Sequence, residues 1–386
     1  MDLKDFDDIR PYSDSETTSV IERLLSYPDF CRFAEKVVGS DSFASLKQQY
    51  KQFTSIQQFQ STAINPLLRH LIRTKTTSFQ SEGIEDSLSD NGCLYMSNHR
   101  DIVIDVAMLD NILLEHQIRT VDIGIGDNLL IYPWIKDLVR LNRAFIVSRG
   151  GKGRELLLQS KHLSEYIHYS IACRHNSVWI AQREGRAKDS DDRTQESVLK
   201  MLAMGSDKPF AESLKELNIR PLTISYEYDP CDYLKAKEFQ LKRDNPDYQK
   251  SQTDDLTNMA TGISGFKGQL TYYCSENINP AIDHIASLTS NRNEQATLIA
   301  QYIDRQIHAH YAIYHINYIA YDMLRSCDEY ANIYSEKEKD NFEDYIRQRL
   351  DKIDIPDKDE KCLREYLLKI YANPLINHLK TFKQTT

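Results

Sequence analysis

The sequence predicts an α/β protein: a mixed, mostly parallel sheet flanked by helices, with a helical N-terminal lead-in and a helical C-terminal region. Three observations carry this. The 386 residues, 41% of them hydrophobic with 23 Tyr and 13 Phe, suffice for two or three units of roughly 150 residues and for a sizeable core. From Cys93 onward, short apolar runs alternate with amphipathic stretches, the rhythm of strands separated by covering helices. Before that point, apolar residues recur at spacings of three and four without strand-type alternation.

Taken in order, the lead-in (residues 1–85) reads as helices over Glu16 to Leu25, Asp29 to Val38 after Pro28, Phe43 to Phe53, and Ile64 to Ile72, where Leu67, Leu68, Leu71 and Ile72 share a face. The polar run Thr76 to Asn91, rich in Ser, Asp, Glu and Gly, reads as a linker. The α/β region (90–285) has strands expected at Cys93 to Met96, Thr120 to Ile123, Ala144 to Val147, Val178 to Ala181, Arg220 to Tyr226 and Gln269 to Cys274. Helices fall between them near 102–115, 128–140, 152–172 and 194–204. Residues 286–386 return to helix, from Asn291 to Phe382.

Composition then removes several classes of function. Lys and Arg total 48 against 57 Asp and Glu, a net charge of −9, which argues against a nucleic-acid partner and requires any anion site to be local. The stretch from Arg140 to Lys200 supplies one, with 12 Lys/Arg against 7 Asp/Glu. The seven cysteines are scattered without a Cys-x-x-Cys pair, so neither a zinc site nor a disulfide framework is encoded. The acidic, polar N-terminus lacks the basic and then apolar pattern of a secretory signal, so a cytoplasmic location is expected. No run approaches the roughly 20 apolar residues needed to cross a bilayer; Ile102 to Leu109 is interrupted by Asp105.

Four segments carry the chemistry. In the first, an apolar strand runs into Asn98-His99-Arg100-Asp101 and then a helix holding Asp105. This places His99 at the open carboxyl end of a strand, where α/β proteins build their sites. A neutral imidazole there suits a general base, with a carboxylate fixing its tautomer, and both Asp101 and Asp105 are near enough to serve. The same residues also fit a partly buried turn histidine beside an Asp N-cap. The second segment, Arg143 to Arg149 followed by Gly150-Gly151-Lys152-Gly153-Arg154, is a strand ending in a Gly-rich basic turn that opens a helix. It suits phosphate docking, although the ordered spacing of a Walker loop is missing. In the third, a buried strand enters Arg183-Glu184-Gly185-Arg186-Ala187-Lys188, an anion-binding cluster or a solvated charge run. The fourth, Arg220-Pro221 through Glu227, reads by itself as a core strand. Further on, the polar stretch Asp254 to Gly268, with Lys267 among three glycines, reads as a loop after a short helix, either a connection or a cover over an anionic donor.

In this order and at these spacings, the four segments resemble the glycerolipid acyltransferase superfamily, which acylates glycerol-3-phosphate and 1-acylglycerol-3-phosphate. His99 with Asp105 resembles its His-x4-Asp motif, with five intervening residues instead of four. Phe145-Ile146-Val147-Ser148-Arg149 resembles Phe-Ile-x-Arg with one extra residue. Glu184-Gly185 resembles its Glu-Gly motif, with Arg183 where proline is usual and Arg186 where threonine is usual. Arg220-Pro221 onward resembles its proline-led strand. The resemblance implies that His99 deprotonates an acceptor hydroxyl while Asp105, or else Asp101, orients it. It implies that Arg149, with Arg183 and Lys188, holds the acceptor phosphate, and that Glu184 and Gly185 shape that pocket. Asn98, Arg100, Arg143 and Lys267 are further candidates. The implied donor is acyl-CoA or an acyl carrier protein, and no metal or other cofactor is needed because a thioester is already activated. Peripheral contact with the inner face of a membrane is expected; Leu129 to Trp134, where a Tyr and a Trp gather, reads either as that contact or as the start of a core helix broken at Pro133. Two other readings use the same residues: a thioester or phospholipid hydrolase, against which stands the lack of a Gly-x-Ser-x-Gly elbow, and a non-catalytic lipid-binding protein.

Overall fold

The computed structural model describes residues 2–87 and 92–383. Seven strands form one sheet in the order β1-β7-β6-β2-β5-β3-β4. They are β1 (Thr76–Glu82), β2 (Leu94–Ser97), β3 (Asp122–Gly126), β4 (Ala144–Val147), β5 (Val178–Ala181), β6 (Ile219–Tyr226) and β7 (Gly268–Cys274). Among the described residues β6 and β7 pair antiparallel and every other neighbouring pair is parallel. The sheet is therefore mixed and mostly parallel, as predicted.

Alternation along each strand divides the core. Leu94 and Met96 of β2, with Val178 and Ile180 of β5, face helices Arg154–His168 and Arg292–Ala309. Tyr95 and Trp179, one residue out of phase, face helix Ile104–Glu115 on the other side. Both faces being covered, β2 is buried at every position, which explains its uninterrupted apolar run. The N-terminal helices pack through Val20, Ile21, Leu24 and Phe59 onto Leu141 of helix Pro133–Leu141. The C-terminal helices His315–Arg325, Glu336–Asp351 and Glu360–Lys383 build a separate cluster around Phe342, Ile346, Leu367 and Tyr371.

Two sequence expectations are corrected. The stretch read as a linker contains β1, which pairs in parallel with β7 at the sheet edge; residues 88–91, the end of that stretch, lie outside the described residues. Its residues alternate between half-buried and exposed, and an edge strand needs little apolar character to pair, so its polar composition concealed it. The stretch read as a polar loop before Gly268 is mostly the helix Gln252–Ser264, opened by a reciprocal Ser251/Asp254 capping box that few apolar residues announced.

Helix Ile104–Glu115 carries a buried carboxyl at Asp110, whose partner is the Val121 backbone N–H at 3.1 Å. Burial pushes this carboxyl up to about 8. The folded state thus keeps a proton that the unfolded chain releases from about pH 4 upward, and stability is lost as pH rises through this window. Asp110→Asn, which retains the acceptor without the ionisation, is expected to stabilise by about 1–3 kcal/mol at pH 7 and by progressively less toward pH 4. Urea unfolding across pH checks this, and an unchanged difference between pH 4 and pH 8 would contradict it.

Candidate active site

Beyond Ser97 the chain leaves the sheet in an irregular turn, and its first residue is locked by a side chain acting as backbone. The Asn98 amide donates to the Ile224 carbonyl at 2.9 Å and accepts from the Ile224 N–H at 2.8 Å, extending the β2–β6 pairing by one step. His99 follows with its Nδ1 2.8 Å from Asp105 Oδ2. The same oxygen accepts the backbone N–H groups of Arg100 at 2.6 Å and Asp101 at 3.0 Å. Asp101 faces the other way and caps helix Ile104–Glu115 through the N–H groups of Val103 and Ile104, at 2.9 and 2.8 Å. The structure thus pairs His99 with Asp105, and the cap at Asp101 lets the turn absorb the additional residue.

A carboxylate on Nδ1 sets the tautomer with the proton on that nitrogen and leaves Nε2 as the basic atom. No described residue hydrogen-bonds to His99 Nε2, and the side chain is 14% exposed. The ring packs edge-on to Trp179 at 5.5 Å, and the indole N–H is tied to Ser97 Oγ at 3.0 Å. The buried Tyr226 hydroxyl lies beside the Asp105 carboxylate, and burial and then that charge hold its phenol well above the usual range; the Tyr272 hydroxyl donates to the Asp105 carbonyl at 2.8 Å.

Arg100 is buried away from this opening. Its guanidinium meets Asp192 at 2.7 Å, and the Tyr311 hydroxyl donates to the same carboxylate. The buried Lys235 ammonium, paired with Asp229, donates to the Arg100 carbonyl at 3.0 Å. Buried charges therefore hold the turn from behind, so Arg100 serves as its anchor.

The cationic side comes from the next strands. Ser97 pairs with Ala181, so Arg183, two residues past Ala181, leaves the same carboxyl edge of the sheet as His99, two past Ser97. Arg183 is half-buried and its Nε is enclosed without a partner. Arg149, beyond the end of β4, meets Glu184 at 2.8 Å in an ion pair whose side chains are 37% and 72% exposed. Gly126 makes room for it, since a Cβ there would lie 2.5 Å from Arg149 Nε. Gly185 takes φ +68, a backbone that disfavours any side chain. Arg186, from the same basic cluster, is 7% exposed; it donates to Asn258 at 3.1 Å while its other terminal nitrogen has no partner.

The remaining candidates lie elsewhere. Lys188 turns to Glu238 at 2.8 Å, a carboxylate also held by Lys242 and Lys250; burial, then the neighbouring Arg186 charge, pushes Lys188 down to about 7. Lys267 is buried and donates to the Gly265 carbonyl at 2.8 Å. Arg143 lies at the amino ends of the strands, paired at 2.6 Å with the buried Asp122, which also accepts from Tyr166 and Ser170. The open end thus gathers Asn98, His99, Asp105, Arg149, Arg183, Glu184 and Gly185, and leaves Arg143 at the opposite end. Sequence reading missed Asp192 and Tyr226, because only tertiary contacts mark them, and it took Trp179 for a plain strand residue. Among the described residues, no group of three or more His, Cys, Asp or Glu side chains is placed to hold a metal ion.

Residues 78–204 match the family model described as Acyltransferase, a stretch that includes His99, Asp105, Arg149 and Glu184. The chain also overlays on the crystal structure of the 1-acyl-sn-glycerophosphate (LPA) acyltransferase PlsC from Thermotoga maritima. The sequence identity is 11% and the TM-score 0.36, over 75% of this chain and 93% of that one. No curated protein matches the sequence.

Removing the partner of a buried charge costs more than the pair contributes. Asp192→Asn leaves Arg100 buried beside a neutral amide, and a loss of about 3–5 kcal/mol is expected. Urea denaturation measures it; a loss below about 1 kcal/mol, the value of an exposed pair, would show that Asp192 does not anchor the turn.

Proposed function

We propose that this acyltransferase moves an acyl chain from an acyl thioester, acyl-CoA or an acyl carrier protein, to a hydroxyl of glycerol-3-phosphate or its 1-acyl derivative. The observation that carries the reading is the 2.8 Å contact between His99 Nδ1 and Asp105, made at the strand ends within the matched acyltransferase stretch. The proton-free Nε2 takes the hydroxyl proton as the oxygen attacks the thioester carbonyl. The C–S bond then breaks, the imidazolium returns the proton to the departing thiolate, and Asp105 holds the ring throughout. Attack is direct, so the chemistry rests on orientation, without an acyl-enzyme or a further cofactor.

Arg183 and Arg149 would hold the acceptor phosphate. Arg183 has an enclosed nitrogen without a partner, and an exposed ion pair such as Arg149–Glu184 contributes little by itself. A phosphate can therefore replace Glu184 as the partner of Arg149 at small cost, gaining charge-assisted hydrogen bonds. The PlsC of Thermotoga maritima is named for a 1-acyl acceptor, and we extend that acceptor class to this chain on the residues just described.

Purified protein mixed with labelled acyl-CoA and each acceptor in turn, followed by separation of the lipid products, tests the reaction. An acylated acceptor is expected, whereas free fatty acid alone would turn the reading to a hydrolase. His99→Ala should lower kcat by about 10²–10⁴-fold with an unchanged unfolding midpoint; undiminished transfer would remove His99 as the base. Arg183→Ala and Arg149→Ala should raise KM for the phosphorylated acceptor about tenfold or more, with a smaller change in kcat. A fall in kcat at constant KM would instead give them a role in the chemical step.

A further inference from the structure

The first turns of helix Arg154–His168 are built the wrong way out for a protein in water. Leu156, Leu157 and Leu158 are 47%, 58% and 58% exposed. No other run of three large apolar side chains is exposed among the described residues. The turn before them holds Lys152 and Arg154, for neither of which any described residue supplies an ion-pair partner. Gly151 and Gly153 in that turn both take positive φ. The helix leaves the carboxyl end of β4, the end of the sheet that also carries His99.

From this arrangement we infer that the turn is the surface by which the protein seats on an anionic lipid bilayer. Leu156, Leu157 and Leu158 enter the acyl region, and Lys152 and Arg154 meet the phosphate headgroups. Charge complementarity supports this occupant: Lys152 and Arg154 outnumber the one carboxylate of the turn, Glu155, within a chain of net charge −9, as a surface facing anionic lipid requires. Helix geometry supports it further. Consecutive residues point about 100° apart, so three adjacent leucines cover about 200° of the circumference. A protein groove receives one stripe of a helix, spaced three and four residues apart. A fluid layer of acyl chains surrounds all three leucines. The stretch Leu129 to Trp134 contributes less than the sequence promised, because the Trp134 ring packs against Phe30 and Phe33 of the N-terminal helices. Tyr132, 44% exposed and stacked on Trp134, is left to face outward. It follows the carboxyl end of β3, the neighbour of β4, and an exposed aromatic hydroxyl on that side of the sheet suits lipid headgroups.

Sedimentation of the full chain with vesicles, without substrate, tests this independently of the reaction proposed above. The protein should bind phosphatidylglycerol/phosphatidylcholine vesicles, and bind phosphatidylcholine vesicles alone more weakly. The triple variant Leu156→Ser, Leu157→Ser, Leu158→Ser should lose binding to both by about tenfold or more. Lys152→Ala with Arg154→Ala should lose only the additional affinity for phosphatidylglycerol. Leu288→Ser, at an exposed leucine outside this turn, should bind as the parent does, and unfolding midpoints should agree across all variants. Wild-type protein that fails to sediment, or a leucine variant that binds as well as wild type, overturns the assignment. So does a leucine variant that loses capture of holo-acyl carrier protein while keeping its vesicles, which would give the surface to a protein partner.

Discussion

A single carboxylate oxygen organises the candidate site. Asp105 Oδ2 collects the imidazole N–H of His99 and the backbone N–H groups of Arg100 and Asp101. The turn after β2 has no ladder or helix to satisfy these groups, and buried donors left unpaired are costly. The same bonds that make this turn affordable therefore fix the ring. Orientation of the His99 imidazole is a by-product of satisfying the backbone.

Around that centre the molecule uses buried ion pairs as fixtures. Arg100–Asp192 and Lys235–Asp229 secure the turn from the side of the C-terminal half, and Arg349–Asp232 ties helix Glu336–Asp351 to the start of helix Asp232–Asp244. Such pairs add little net stability over a hydrophobic core, yet they penalise every arrangement that separates them. From the helical C-terminal region the Tyr311 hydroxyl donates to the Asp192 carboxylate, and the His308 imidazole meets the Asp192 backbone carbonyl at 2.8 Å. Through Tyr311, that region is thus joined to the turn after β2 by the same carboxylate that neutralises Arg100.

Much of this was legible in the chain. Strands buried on both faces announce themselves as short apolar runs, so β2, β4, β5 and β6 were read within a residue or two. The motif His99 to Asp105 and the cluster at Arg183 to Gly185 stand at strand ends, where the alternation itself locates them. What failed has separate causes. Polarity hid β1, whose position at the sheet edge supplies its pairing without apolar help. Arg143 and Arg149 flank one strand and look alike in sequence, but parallel order sends them to opposite ends of the sheet. Lys188 lies three residues past Gly185, and only the placement of Glu238 on a distant helix shows that it turns away.

Gly262 shows how narrowly the parts fit. A methyl group placed on it would lie 1.8 Å from the free oxygen of Asp101, the residue whose other oxygen starts the helix bearing Asp105. Helix Gln252–Ser264 therefore rests against Asp101, in the turn between β2 and helix Ile104–Glu115, with no clearance. Enlarging this one residue would force Asp101 or the helix to shift, disturbing the cap that starts the helix bearing Asp105 from a position remote in the chain.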